Sequence, residues 1–183
     1  MDKITQYFHC LGSIANYKMD EEAIEQAVDL IFETWKNGSF IYIAGNGGSY
    51  CNAQHFALDL SKHSGVRAVA LGCPAFMTAW ANDDSYGDIF LRELSPLYRQ
   101  GDLFIAISCS GRSKNVLKAM SFVDGQNGKQ ILLTGDNEKS PAAKTADVVI
   151  SVKDSDIRRQ EDVHLAICHC VAGMLRERIE EEE

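Results

Sequence analysis

The stretch FIYIAGNGGSYCNAQHFALDLSKH, residues 40–63, opens as an apolar run, breaks into a glycine-rich turn and continues with helical periodicity. The run predicts a buried strand over 40–45, and the residues after the turn predict a helix over 49–63. On that helix His55 and Asp59 stand four residues apart, one turn, so imidazole and carboxylate point the same way. Such a pair belongs either to a capped surface helix or to half of a site.

Outward from this unit the pattern repeats. Short runs rich in Ile, Val and Leu at 66–72, 102–108, 129–135 and 147–152 read as further buried strands. Between and after them, helical segments are predicted at 75–80, 85–98, 113–124, 141–146 and 159–180. Strand alternating with helix implies parallel strands joined by right-handed crossovers, hence an open α/β sheet covered on both faces. Ahead of it, residues 2–37 read as a helical hairpin. Its apolar stripe (Ile24, Ala27, Val28, Ile31, Phe32, Trp35) is closed by Gly38 and must be buried on the sheet or on another subunit. We expect one domain over 1–183, with N-terminal helices in 2–37 and an α/β core plus C-terminal helix in 40–180.

Composition narrows the function classes. The 183 residues are 45% apolar and 24% charged, as in a globular protein. A net charge of -8 opposes a nucleic-acid-binding surface. No apolar run approaches the ~20 residues of a membrane span, and the N-terminus has no secretory pattern. The six cysteines form no C-x-x-C pair, which predicts reduced thiols and a cytoplasmic location.

In such a sheet, ligands sit outside the carboxyl ends of the strands. After the first strand, AGNGGS (44–49) fails the dinucleotide fingerprint at Tyr50, and no G-K-[ST] follows. What remains is a turn that lets backbone N–H groups approach a ligand, with Ser49 placed to cap the helix, or a plain strand-to-helix connection. After the third strand, SCSGRSKN (108–115) places Ser108, Ser110 and Ser113 around Gly111 just before a helix, a composition suited to phosphate. The fragment WANDDSYGD (80–88), alone, reads as a turn and an N-cap. In the last helix Glu161 and His169, eight apart, share a face, while Asp162 and His164 lie on others. A lone histidine in an apolar helix is ordinarily a core residue. Two histidine–carboxylate pairs, His55/Asp59 and Glu161/His169, also offer four good ligands for zinc or a related divalent ion, although spacing does not show that the two helices meet.

Taken together, GNGGSYCNAQHFA (45–57), ND (82–83), GDLFIAISCSGRSKNVLKA (101–119), LTG (133–135) and QEDVH (160–164) followed by His169 resemble the sugar-isomerase (SIS) domain family, and within it the phosphoheptose isomerases. The resemblance implies a flavodoxin-like, doubly wound five-stranded parallel sheet with an N-terminal helical segment. It implies isomerisation of sedoheptulose 7-phosphate to D-glycero-D-manno-heptose 7-phosphate through an enediol. It places sugar-phosphate contacts on Asn46, Gly47, Gly48, Ser49, Asn82, Asp83, Ser108, Cys109, Ser110 and Ser113. Metal and catalytic positions fall on His55, Asp59, Glu161 and His169, with Asp59 as base, His169 as acid and Glu161 as reserve base. The implied cofactor is a divalent metal, zinc. The implied assembly is a homotetramer whose sites are shared between subunits, with no nucleic acid or membrane partner. The chain departs from the family in having Asp59 for glutamate, Glu161 for glutamine and Cys109 for threonine. The competing readings are a non-catalytic sugar-phosphate-binding SIS protein, a replication-initiator adaptor, or an isomerase of another ketose phosphate.

Overall fold

The computed structural model describes residues 2–17 and 19–182. Two helices, α1 (Lys3–Tyr17) and α2 (Glu21–Lys36), precede the sheet. Asp20 caps α2 by accepting from the Ala23 N–H, and Gly38, at φ +64°, turns the chain out of it. The strands are β1 (Ile41–Gly45), β2 (Ala68–Ala70), β3 (Leu103–Ile107), β4 (Lys129–Thr134) and β5 (Val148–Ser151). All pair in parallel, in the order β2-β1-β3-β4-β5. That is the flavodoxin-like doubly wound order that the family resemblance implies, with its switch point between β1 and β3.

Period-two alternation divides the apolar residues between two cores. Ile41, Ile43, Ile105, Ile131 and Ile150 face one side, against α2, α3 (Gly48–Ser64) and α7 (Ile157–Glu182). Tyr42, Ala44, Phe104 and Leu132 face the other, against α5 (Ile89–Leu94) and α6 (Lys114–Gly125). The α2 stripe is buried on the sheet and on α7, with Trp35 half-buried at its end. Helix α1 leans on α7 and leaves Ile4 and Phe8 exposed.

Two expected helices are shortened or absent. The helix expected over 85–98 is only α5, because the chain turns through 85–88 and Pro96 lacks the N–H to continue a helix. Residues 141–146 form successive turns, such as Thr145 N–H to the Ala142 carbonyl. The Ala146 N–H reaches the same Ala142 carbonyl, so the bonds mix two closures and no regular helical ladder runs through them. Strand β2 is also shorter than its apolar run. The remaining helix, α4 (Pro74–Asp83), buries no side chain fully.

Candidate functional site

At the switch point the ends of β1 and β3 lie side by side, Gly45 opposite Ile107. The glycine turn after β1 and the serine loop after β3 are therefore neighbours. Gly47 precedes the first residue of α3 and no side chain caps that helix. Ser49 lies inside the helix rather than at its cap. Its hydroxyl is buried and faces the Cys109 thiol at 3.9 Å.

The serine loop is held from behind by the end of β4 and the turn beyond it. The Cys109 carbonyl accepts from the Gly135 N–H (3.0 Å) and the Asn137 side chain (2.9 Å), and the Thr134 hydroxyl donates to the Ser108 carbonyl (2.9 Å). Gly111, at φ +58°, lies where a Cβ would run into the Ser140 side chain, so only glycine fits there. With these carbonyls held from behind, the loop leaves hydroxyls for a ligand. The Ser108 Oγ is buried without a hydrogen-bond partner, and Ser113 begins α6 without its hydroxyl capping it. An anion is the natural complement of such a loop at a helix start.

His164, from α7, completes the underside. It is fully buried, its Nε2 lies 3.0 Å from the Thr134 carbonyl, and its Nδ1 lies 3.9 Å from the Cys109 sulfur. Burial pushes its pKa down to about 4 and pushes the Cys109 thiol up. Both groups are therefore neutral near neutral pH, with the imidazole N–H donated to Thr134 and the thiol left to donate to Nδ1.

Helix α3 packs along α7, and this brings His55, Asp59 and His169 together. The two Nε2 atoms are 3.1 Å apart, and Asp59 Oδ2 lies 3.5 Å from that of His55 and 3.7 Å from that of His169. The imidazoles are about half exposed and Asp59 is mostly covered. One ligand atom from each falls within 4.8 Å of the others, so the three could hold a metal ion. Two imidazole nitrogens and one carboxylate oxygen are the donor set of a three-ligand zinc site with a position left open.

Glu161 is not in this group. Eight residues of helix separate it from His169, about 12 Å along the axis, so one face did not mean one place. The Asn52 side chain donates to the Glu161 carbonyl (2.8 Å), and the Glu161 carboxylate lies against Gly48, where any Cβ would meet it. It therefore stands at the glycine turn, near enough to Cys109 to raise that thiol's pKa. Asn82 and Asp83 are exposed at the end of α4, where the Asn82 amide donates to the Asp83 carboxylate (2.9 Å).

Sequence reasoning passed over His164, Asn115 and Tyr86. His164 was set apart from the Glu161 face, but it falls on the buried stripe with Val163, Ile167 and Cys168. A polar residue on an apolar stripe was the available signal. Asn115, 2% exposed, carries the same mark, bonding to Asn46 at the start of α6.

Comparison with known proteins gives a consistent result. The SIS domain family model matches residues 6–135. The phosphoheptose isomerase of Escherichia coli is 32% identical over 172 residues, covering 89% of each chain. That of Helicobacter pylori is 36% identical over 161 residues, covering 85% of this chain and 83% of its own. The phosphoheptose isomerase structure from Francisella tularensis superposes with a TM-score of 0.89 at 28% identity, covering 96% of this chain and 97% of that one.

Proposed function

This chain belongs to the SIS-domain family and, within it, to the phosphoheptose isomerases, and from that premise we propose that it converts sedoheptulose 7-phosphate to D-glycero-D-manno-heptose 7-phosphate. It is an isomerase, moving hydrogen within one molecule. The observation that carries the substrate reading is the separation of two sites along α3. The serine-loop cradle borders the glycine turn that starts α3, and the His55–Asp59–His169 cluster begins seven residues into that helix, roughly 10 Å along the axis. A sugar with its phosphate at one end and its reacting carbonyl at the other suits that separation.

In this reading Ser108, Ser110, Ser113 and the backbone of Cys109 hold the phosphate, while Asn46, Gly47, Gly48 and Ser49 line the sugar. Asp59 Oδ2 faces both imidazoles. Its other oxygen is left to take the carbon-bound proton beside the carbonyl and return it to the neighbouring carbon. While its Nε2 is free of metal, His169 passes protons between the sugar oxygens. Glu161, beside the turn, faces the sugar as the reserve carboxylate. Zinc, held by His55, Asp59 and His169, would supply Lewis acidity towards the carbonyl oxygen.

The assembly in this reading is a homotetramer with shared sites. Exposed Ile4 and Phe8 on α1 offer apolar contact area, and Asn82 and Asp83 stand exposed, open to a neighbouring copy's sugar. All six cysteines are free, which supports a reducing, cytoplasmic setting.

The test is to incubate the protein with sedoheptulose 7-phosphate, with and without chelator and added zinc, and look for aldoheptose phosphate. Turnover that falls on Asp59→Asn and on His169→Ala by about a hundredfold or more, with loss of bound zinc in His55→Ala, is expected. No turnover by the wild type, or full activity in both variants, would remove the proposal.

A further inference from the structure

Beside the serine loop lies a cavity of about 490 Å³ lined by Asn46, Tyr86, Gly87, Ser113, Lys114 and Asn115. Its back wall is a set of hydrogen bonds joining three separate segments. The Asn46 amide N–H donates to Asn115 Oδ1 at 3.0 Å, and the Asn115 amide donates back to Asn46 Oδ1 at 2.8 Å. The Tyr86 hydroxyl, from the turn before α5, donates to the same Asn46 oxygen at 2.8 Å. Asn115 lies in the first turn of α6, and its Oδ1 also accepts the Val116 backbone N–H at 3.0 Å.

That last bond orients the others. A backbone N–H only donates, so the Asn115 atom facing it is the oxygen. The Asn46 atom facing Asn115 Oδ1 is then its nitrogen, and the Asn46 oxygen must face the Asn115 nitrogen and Tyr86. An amide oxygen has two lone pairs, and both on Asn46 are filled. The group that Asn46 has left to offer the cavity is its second N–H.

We propose that Tyr86 is a positioning residue that, with Asn115, locks the Asn46 side chain as a hydrogen-bond donor alone, directed at an acceptor oxygen of the sugar rather than at the phosphate. This rests on the isomerase reading above. Without the Tyr86 hydroxyl, the amide keeps its orientation against Asn115 but loses one of the three bonds that hold it, and one lone pair of Asn46 opens to a donor. The site then loses its preference for an acceptor oxygen while the phosphate loop is untouched.

Tyr86→Phe removes the hydroxyl and keeps the ring. In sedoheptulose 7-phosphate turnover, KM should rise about fivefold, the worth of one net hydrogen bond, with kcat changed by no more than about twofold. Competitive inhibition by inorganic phosphate should not change, whereas a merely structural disturbance of the loop would weaken it. In the free protein, NMR should show faster proton exchange at the Asn46 side-chain amide in the variant. An active wild type whose KM and amide exchange are both unmoved by Tyr86→Phe would overturn the proposal, as would an equal loss of phosphate inhibition. A wild type without turnover, but with amide exchange accelerated by the substitution, would defeat the isomerase reading and leave the lock standing.

Discussion

Replacing His164 with glutamine removes a titratable ring from the core and keeps an N–H able to reach the Thr134 carbonyl. In the native protein the ring is fully buried and its pKa is held at about 4, because desolvation disfavours the imidazolium. An unfolded histidine titrates near 6.5. The folded state thus declines a proton that the unfolded chain accepts. The resulting stability is fully present above roughly pH 6.5 and is lost as pH falls towards 4. Between about pH 7.5 and about pH 5.5 the unfolded imidazole takes up nearly a whole proton and the folded one almost none. The native protein should lose about 1 kcal/mol of stability over that interval from this residue. The interval stops short of the pI near 5.1, where low net charge promotes association. The assay is urea unfolding of both proteins at both pH values, taking the difference of the two differences, which cancels every other titrating group. At the higher pH the variant should be less stable by roughly 1–3 kcal/mol, the ordinary cost of a core change. If the variant loses as much stability on acidification as the wild type, the ring is not the buried neutral group described.

Two further outcomes concern the cradle. Ser108→Ala deletes a buried hydroxyl that has no partner, so unfolding midpoints should shift by less than about 1 kcal/mol while inhibition by inorganic phosphate weakens about fivefold. A large loss of stability with unchanged phosphate inhibition would contradict this. Gly48→Ala puts a Cβ where the mobile end of Glu161 lies, so the carboxylate should swing aside at little cost in stability while kcat/KM falls about tenfold. Glu161→Ala should lose a similar amount and the double variant no more. Losses that multiply in the double variant would show that the two positions act separately.

The sheet was legible because its central strands β1, β3 and β4 are buried on both faces and read as continuous apolar runs ended by glycine or serine, although edge strand β2 is partly exposed. Topology then came from alternation with helices, and the cradle from asking what lies at the strand ends. Less legible was anything set by distance along an element rather than by its face. Periodicity put Glu161 and His169 on one side of α7 but did not say that two turns would carry them past different neighbours, Gly48 in one case and His55 in the other. Ser49 was misassigned for a related reason. The glycine turn yields a helix one residue earlier than the serine, so its hydroxyl points at Cys109 instead of at the helix start. The Asn46–Asn115–Tyr86 lock joins positions 69 and 40 residues apart, and only the assembled sheet makes them neighbours.

The two acidic departures from the family pattern must therefore be judged apart. A shortened carboxylate at Asp59 and an added charge at Glu161 would offset each other only if they met at one ion. About 12 Å of helix lies between Glu161 and His169, and it is His169 that Asp59 faces. Each departure has surroundings of its own. Asp59 sits between two imidazoles, 3.5 Å from that of His55 and 3.7 Å from that of His169. The Glu161 carboxylate lies at the start of α3, where the unpaired N–H groups and partial positive charge of a helix favour an anion. That same position borders the cradle, so in the proposed reading the Glu161 charge would oppose the dianionic end of a sugar phosphate and favour ligands that keep their phosphate on the serine-loop side. In the isomerase reading proposed above, the Glu161 carboxylate thus acts on where the substrate lies, and Asp59 on the chemistry at its other end.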